Sequence, residues 1–73
     1  MNEYQLTLIA RHRPEVLERI LRVVRHRGFT VTKMEMQLVD NQVQLKFSVQ
    51  SERQLDLLVN QLVKLPDVIN IAA

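Results

Sequence analysis

The hydrophobic spacing of this chain switches between a period of two and a period near three and a half, twice over, and that order constrains the fold more than any other feature. Residues 4–10 alternate, with Tyr4, Leu6 and Leu8 on one side and Gln5 and Thr7 on the other, as in a half-buried strand. Val16, Leu17, Ile20, Leu21 and Val24 then recur at helical spacing, opposite a face of Glu15, Glu18, Arg19, Arg22 and Arg25. Pro14 is read as the first helical residue, where its missing N–H costs nothing, and Gly28, the one glycine, as the left-handed stop. Phe29 to Val39 is strand-like but changes phase: Phe29 and Val31 share one face, Met34, Met36 and Leu38 the other. A bulge near Thr32 and Lys33 would restore a single apolar face; alternatively the strand is long and buries both faces, one of them against a partner. Asp40-Asn41 marks a turn, and Val43, Leu45, Phe47 and Val49 alternate cleanly after it. Ser51 to Gln54 reads as a capping box opening a second helix, with Leu55, Leu58, Val59 and Leu62 as its buried stripe. Pro66 is placed at that helix's end, and Val68 to Ala72 forms a last strand.

Strand, helix, strand, strand, helix, strand is a split βαβ arrangement. Its class is α+β, a ferredoxin-like βαββαβ with a four-stranded antiparallel sheet and both helices on one face. Right-handed crossovers set the strand order at 4-1-3-2. Residues 1–73 make one domain. Ordering each residue costs about 1.5 kcal/mol, close to what burial returns in a chain this short. With no cysteine to form a disulfide, association with itself or with a partner is the expected remedy. Strand two is an edge in this order, lightly guarded by Lys33 and Glu35, and Val31, Met34 and Met36 are the candidate dimer contacts. Two such edges joined would make an eight-stranded sheet.

The composition narrows the chemistry. Without cysteine there is no thiolate metal site and no Cys nucleophile, which fits a reducing, cytoplasmic setting. No apolar run approaches the ~18 residues of a membrane span, and Met1 to Leu8 carry neither the basic stretch nor the apolar core of a secretion signal. There is no Gly-rich phosphate loop, nucleophile elbow or HExxH. His12 and His26 lie at opposite ends of helix one, about 20 Å apart at 1.5 Å per residue, so one chain cannot bring them to one metal. The expectation is a chain with no catalytic and no metal-ligating residues of its own.

RNA-recognition modules share this topology, but they stack bases on aromatics of the first and third strands. Tyr4 and Phe47 are in phase with the core, leaving Gln5, Thr7, Gln44, Lys46 and Ser48 on the open face. No nucleic-acid partner is expected. The net charge is only +2, yet six of the ten Lys and Arg lie between Arg11 and Arg27. Glu15–Arg19 and Glu18–Arg22 are candidate i,i+4 pairs. A solvated helix face accounts for most of this charge, and the excess left at Arg11, Arg13, Arg25 and Arg27 suits an acidic protein surface. Arg11, Arg13, Arg22 and Arg25 form a basic rim, and Leu57 and Val63 add an apolar excess on helix two.

The run Pro14-Glu-Val-Leu-Glu-Arg-Ile-Leu-Arg-Val-Val-Arg-His-Arg-Gly-Phe29, with Lys64-Leu65-Pro66-Asp67-Val68 before the last strand, resembles the ACT domain. Within that family it is similar to the small regulatory subunits of acetolactate (acetohydroxyacid) synthase, those of the short isozyme II type above all. The resemblance implies a subunit without an active site, which binds and activates a large catalytic subunit in branched-chain amino-acid biosynthesis. Thiamine diphosphate, Mg²⁺ and FAD would belong to the large subunit and none to this chain. The basic rim and helix two would then be the candidate contacts with that subunit. A free-standing ACT-type amino-acid sensor acting on another enzyme is the alternative.

Many members also bind a branched-chain amino acid between two ACT domains, between the loop after strand one and the start of strand two. The equivalent positions here are His12, Glu15, Gly28 and Thr30. Valine-responsive relatives have Asn where this chain has His12, Gly where it has Glu15, and Asn where it has Thr30, while Gly28 matches. A carboxylate effector would use the anion-attracting start of helix one; Glu15 either opposes it there by bulk and charge, or pairs with Arg19 and points away from the site. Weak or absent valine feedback is expected.

Overall fold

The computed structural model describes residues 2–73. Six elements follow in order: β1 (Asn2–Arg11), α1 (Val16–His26), β2 (Thr30–Val39), β3 (Gln42–Ser51), α2 (Leu55–Leu62) and β4 (Val68–Ala72). The strands form one antiparallel sheet of order β2-β3-β1-β4, the same as 4-1-3-2 read from the other edge. The ferredoxin-like βαββαβ expectation is met.

Alternation builds the core. Leu6, Leu8 and Ala10 of β1 pair with Phe47, Leu45 and Val43 of β3, and all six are buried. Val16, Ile20 and Val24 of α1 and Leu58 and Leu62 of α2 cover that face, and Phe29 and Val49 complete the cluster. Leu17 and Val23 pack against it from the flanks. Leu21 does not. It is half-buried and faces a groove on the outer side of α1. No described helix is long and apolar enough to cross a membrane.

The phase change in the second strand is a bulge at Thr32. Val31 pairs with Val49 and Lys33 with Ser48, so Thr32 has no Cα partner, and its hydroxyl donates to the Ser48 carbonyl at 3.4 Å. The extra residue brings Met34, Met36 and Leu38 opposite Phe47, Leu45 and Val43, onto the core side of the sheet. The helices do not reach that far along β2, so Met36 and Leu38 are each 53% exposed.

Gly28 has φ +84° and closes α1 as expected. Its N–H donates to the Arg25 carbonyl (3.0 Å) and the Phe29 N–H to that of Val24 (3.1 Å), a Schellman closure in which Phe29 and Val24 are both buried.

Three local expectations are corrected. Pro14 is not in the helix. The Val16 N–H donates to the Arg13 carbonyl at 3.2 Å, so Pro14 occupies a tight turn and α1 begins two residues later, with Glu15 as its cap. Proline's fixed φ near −65° serves both positions equally. Pro66 does not terminate α2 either. That helix ends at Leu62, and Pro66 lies in the next turn, closed by the Val68 N–H on the Leu65 carbonyl at 3.1 Å.

Ser51, finally, is not the cap of α2. Gln54 holds that position without a side-chain hydrogen bond, and Ser51 is the last residue of β3. Its hydroxyl donates to the Gly28 carbonyl (2.8 Å) and accepts from the Arg53 N–H (3.0 Å), joining the α1–β2 corner to the β3–α2 corner. The Tyr4 hydroxyl donates to the Arg53 carbonyl at 3.2 Å and braces the same joint.

Candidate functional site

The loop between β1 and α1 carries half of the expected effector positions, and the backbone holds it from two sides. The Arg11 N–H donates to the Asp67 carbonyl (2.8 Å) and the His12 N–H to that of Asn41 (2.9 Å). Arg13 adds an ion pair, Nε to Oδ1 of Asp67 at 2.9 Å, with the Asp67 side chain nearly buried and that of Arg13 still 57% exposed. Arg13, expected at a partner surface, is thus first an internal brace. Glu15, at the start of α1, makes no capping bond, and its carboxylate lies 3.8 Å from Arg19 Nη2. The pair expected between Glu15 and Arg19 is therefore present, with both side chains about half exposed. Glu18–Arg22 is not among the ion pairs of the described residues, which leaves the Glu18 carboxylate exposed.

Gly28 and Thr30 lie at the other end of α1. Within one chain, His12 and Glu15 are separated from them by the helix, whose 11 residues span about 16 Å. One chain therefore does not bring the four expected positions together.

Around Thr30 the surface is concave. Glu18, Leu21, Arg22 and Arg25 of α1 face Phe29, Thr30 and Val31 at the head of β2 across an open groove of 650 Å³. The structure gathers Thr30, Val31, Arg22 and Arg25 from the expected residues here, and leaves Arg11, Arg13, His12 and Glu15 outside. Glu18, Leu21 and Phe29 are additions. The spacing of Glu18, Leu21 and Arg25 by three and four is the signal that could have found them, because it sets them on one helical stripe. β2 is an unpaired edge of the sheet, and Met36 and Leu38 are exposed further along it.

Two other surfaces are notable. Leu57 of α2 (49%), Val63 just after that helix (51%) and Ile69 of β4 (49%) are exposed. The helix-free face of the sheet is polar, with a shallow cup between Gln5, Thr7, Lys33, Lys46 and Ser48 in which Lys33 pairs with Glu35 at 3.8 Å. Among the described residues no three His, Asp or Glu side chains gather as a metal site requires.

Comparison with known proteins agrees with this architecture. Residues 12–71 match the ACT domain model. The chain is 46% identical over 74 aligned positions to the small subunit of acetolactate synthase isozyme 2 from Escherichia coli, covering 99% of this chain and 85% of that protein. It is 60% identical over 63 residues to an uncharacterized Haemophilus influenzae protein, 86% of this chain but only 24% of that one. The small subunit of acetolactate synthase from Thermotoga maritima superposes with a TM-score of 0.84 at 16% identity, covering 99% of this chain and 47% of that structure, and so supports the fold. The chain belongs to the ACT-domain family and is a relative of the isozyme 2 small subunits of acetolactate synthase.

Proposed function

We propose that this chain is the regulatory small subunit of an acetolactate synthase, which docks on a large catalytic subunit and raises its activity without performing chemistry itself. The observation that carries this reading is the 46% identity to an acetolactate synthase isozyme 2 small subunit along 99% of the chain. Thiamine diphosphate, Mg²⁺ and FAD would act on the large subunit. A non-catalytic subunit can activate only by binding the competent state of its partner more tightly than the incompetent one. The exposed Arg11, Arg22 and Arg25 and the apolar Leu57 and Val63 offer the contacts for that differential binding. The chain works as a homodimer joined along β2, with Val31, Met34 and Met36 near the seam.

The effector response is proposed to be weak. Glu15 places a carboxylate, held by Arg19, at the start of α1 where an amino-acid carboxylate would dock. Isothermal titration of the chain with valine, leucine and isoleucine is expected to show no micromolar binding, and such binding would refute this part. The main claim is tested by adding the purified chain to the acetolactate synthase large subunit of the source cell. Co-elution with raised acetolactate formation is expected. No binding, together with a ligand-induced rise in melting temperature of the chain alone, would instead favour the free-standing sensor.

A further inference from the structure

The cup on the helix-free face of the sheet has a volume of 220 Å³ and shares no residue with the groove beside α1. Strand register builds it. Across β1, β3 and β2 one row runs Gln5–Ser48–Lys33 and the next Thr7–Lys46–Glu35. The bulge at Thr32 brings Lys33 into its row. Val31 lies on the core side, so an unbroken alternation would turn Lys33 toward the core as well. The inserted residue sets it opposite Ser48 on the open face instead. Lys33 and Lys46 are then diagonal neighbours about 7–8 Å apart, a spacing from which two long side chains reach one shared partner.

The chain itself leaves three groups of the cup without strong partners. Ser48 is 8% exposed, yet its hydroxyl makes no hydrogen bond among the described residues. No fully buried side-chain oxygen lacks a partner, so this hydroxyl is not sealed in and stands open to the cup that Ser48 lines. Lys46 has no ion pair among the described residues. Lys33 meets Glu35 at 3.8 Å with both side chains largely exposed, a contact that water screens. Two ammonium groups thus stand against one carboxylate, and the cup is net positive.

We infer that this cup binds a small oxyanion, a phosphate or carboxylate group. Lys46 and Lys33 supply the charge, and the Ser48 hydroxyl donates from the floor. Gln5 and Thr7 add donors on the β1 side. A flat protein surface resting on the two lysines would leave the recessed hydroxyl unpaired, whereas a free anion fits down to it. The site needs neither the large subunit nor a second copy, so it stands or falls apart from the function proposed above.

The test is a titration of the full ¹⁵N-labelled chain followed by amide NMR, with sodium phosphate in one series and sodium acetate in another. Sodium chloride holds the ionic strength constant. At least one anion is expected to give saturable shifts centred on Lys33, Lys46 and Ser48, and the anion that does so identifies the group. Ser48→Ala changes no charge and removes one hydrogen bond to an ion, so binding should weaken about tenfold. Lys46→Gln should weaken it about as much, while Lys64→Gln, the same charge change at an exposed lysine outside the cup, should not. Glu35→Gln frees Lys33 and removes the opposing carboxylate, so binding should tighten about threefold, a gain that misfolding could not produce. Shifts that saturate with neither anion would overturn the site. So would a Ser48→Ala chain that binds as tightly as wild type, or a Lys64→Gln chain weakened as much as Lys46→Gln, since either result leaves only general attraction to a basic protein.

Discussion

Ser51→Ala removes one oxygen and breaks the joint between the two halves of the chain. The Ser51 residue is 4% exposed, and its hydroxyl serves two backbone groups, the Gly28 carbonyl at 2.8 Å and the Arg53 N–H at 3.0 Å. A net bond is worth about 1 kcal/mol, and a buried partner left without one adds its own desolvation cost, so the expected loss is about 2–3 kcal/mol. In a domain of this size each kcal/mol moves the melting temperature by about 4–8 °C, which places the drop at about 10–20 °C. Urea unfolding at one fixed protein concentration measures it, the concentration being held because association shifts apparent stability. The midpoint should fall while the slope is unchanged, since the same surface is exposed on unfolding. Ser48→Ala is the control: Ser48 is equally on β3 and 8% exposed, but its bonded group is the carbonyl that accepts from Thr32. Its loss should be below about 0.5 kcal/mol, the range of substitutions that break nothing. A Ser51→Ala loss no larger than that of Ser48→Ala would refute the joint and return Ser51 to the role of a dispensable cap.

Three further substitutions probe other parts of the argument. Gly28→Ala forces a side chain into φ +84° and sets its Cβ 2.8 Å from Nε of Arg53, a flexible neighbour that can move; the remaining backbone strain predicts a loss of about 1–2 kcal/mol by the same denaturation assay. Leu45→Ala empties a fully buried site on the interior strand β3; the expected cost of about 2–5 kcal/mol should leave circular dichroism of a largely unfolded chain at 37 °C. Asp67→Asn removes the charge that faces Arg13 at 2.9 Å. Because Arg13 is mostly exposed the loss is expected to be no more than about 1 kcal/mol, and it should shrink in high salt.

The fold was legible because each element states its period plainly. The period-two runs around Leu6 and Leu45 and the helical stripe through Ile20 and Val24 specify the elements, and handedness rules then leave one strand order. Even the bulge at Thr32 shows as a phase slip between Val31 and Met34, since a one-residue insertion is the simplest way to return both to the core side.

What was not legible depends on distance along the chain. Ser51 followed by Gln54 has the local spacing of a capping box, and only Gly28, 23 residues earlier, diverts its hydroxyl. Arg13 reads as a surface arginine until the fold brings Asp67 beside it from 54 positions away. Pro14 and Pro66 were misplaced by a turn because one fixed φ suits a helix start, a helix stop and a tight turn alike. Leu21 fits the apolar stripe of α1 by spacing, and only the packing of Ile20 and Val24 beneath the helix shows that it lies too far round to share their contacts. The candidate site follows the same pattern. Arg22, Arg25, Thr30 and Val31 meet in one groove, but His12 and Glu15 stand at the opposite end of α1, a separation that one chain's sequence does not display.

The action proposed for the chain is binding to a catalytic subunit. Acetolactate formation by the source cell's large subunit, measured with and without the purified chain at increasing molar ratio, tests it most directly. Activity is expected to rise and saturate with added chain while the chain alone forms no product. A large subunit whose rate is unchanged at every ratio, and which elutes separately from the chain, would contradict it.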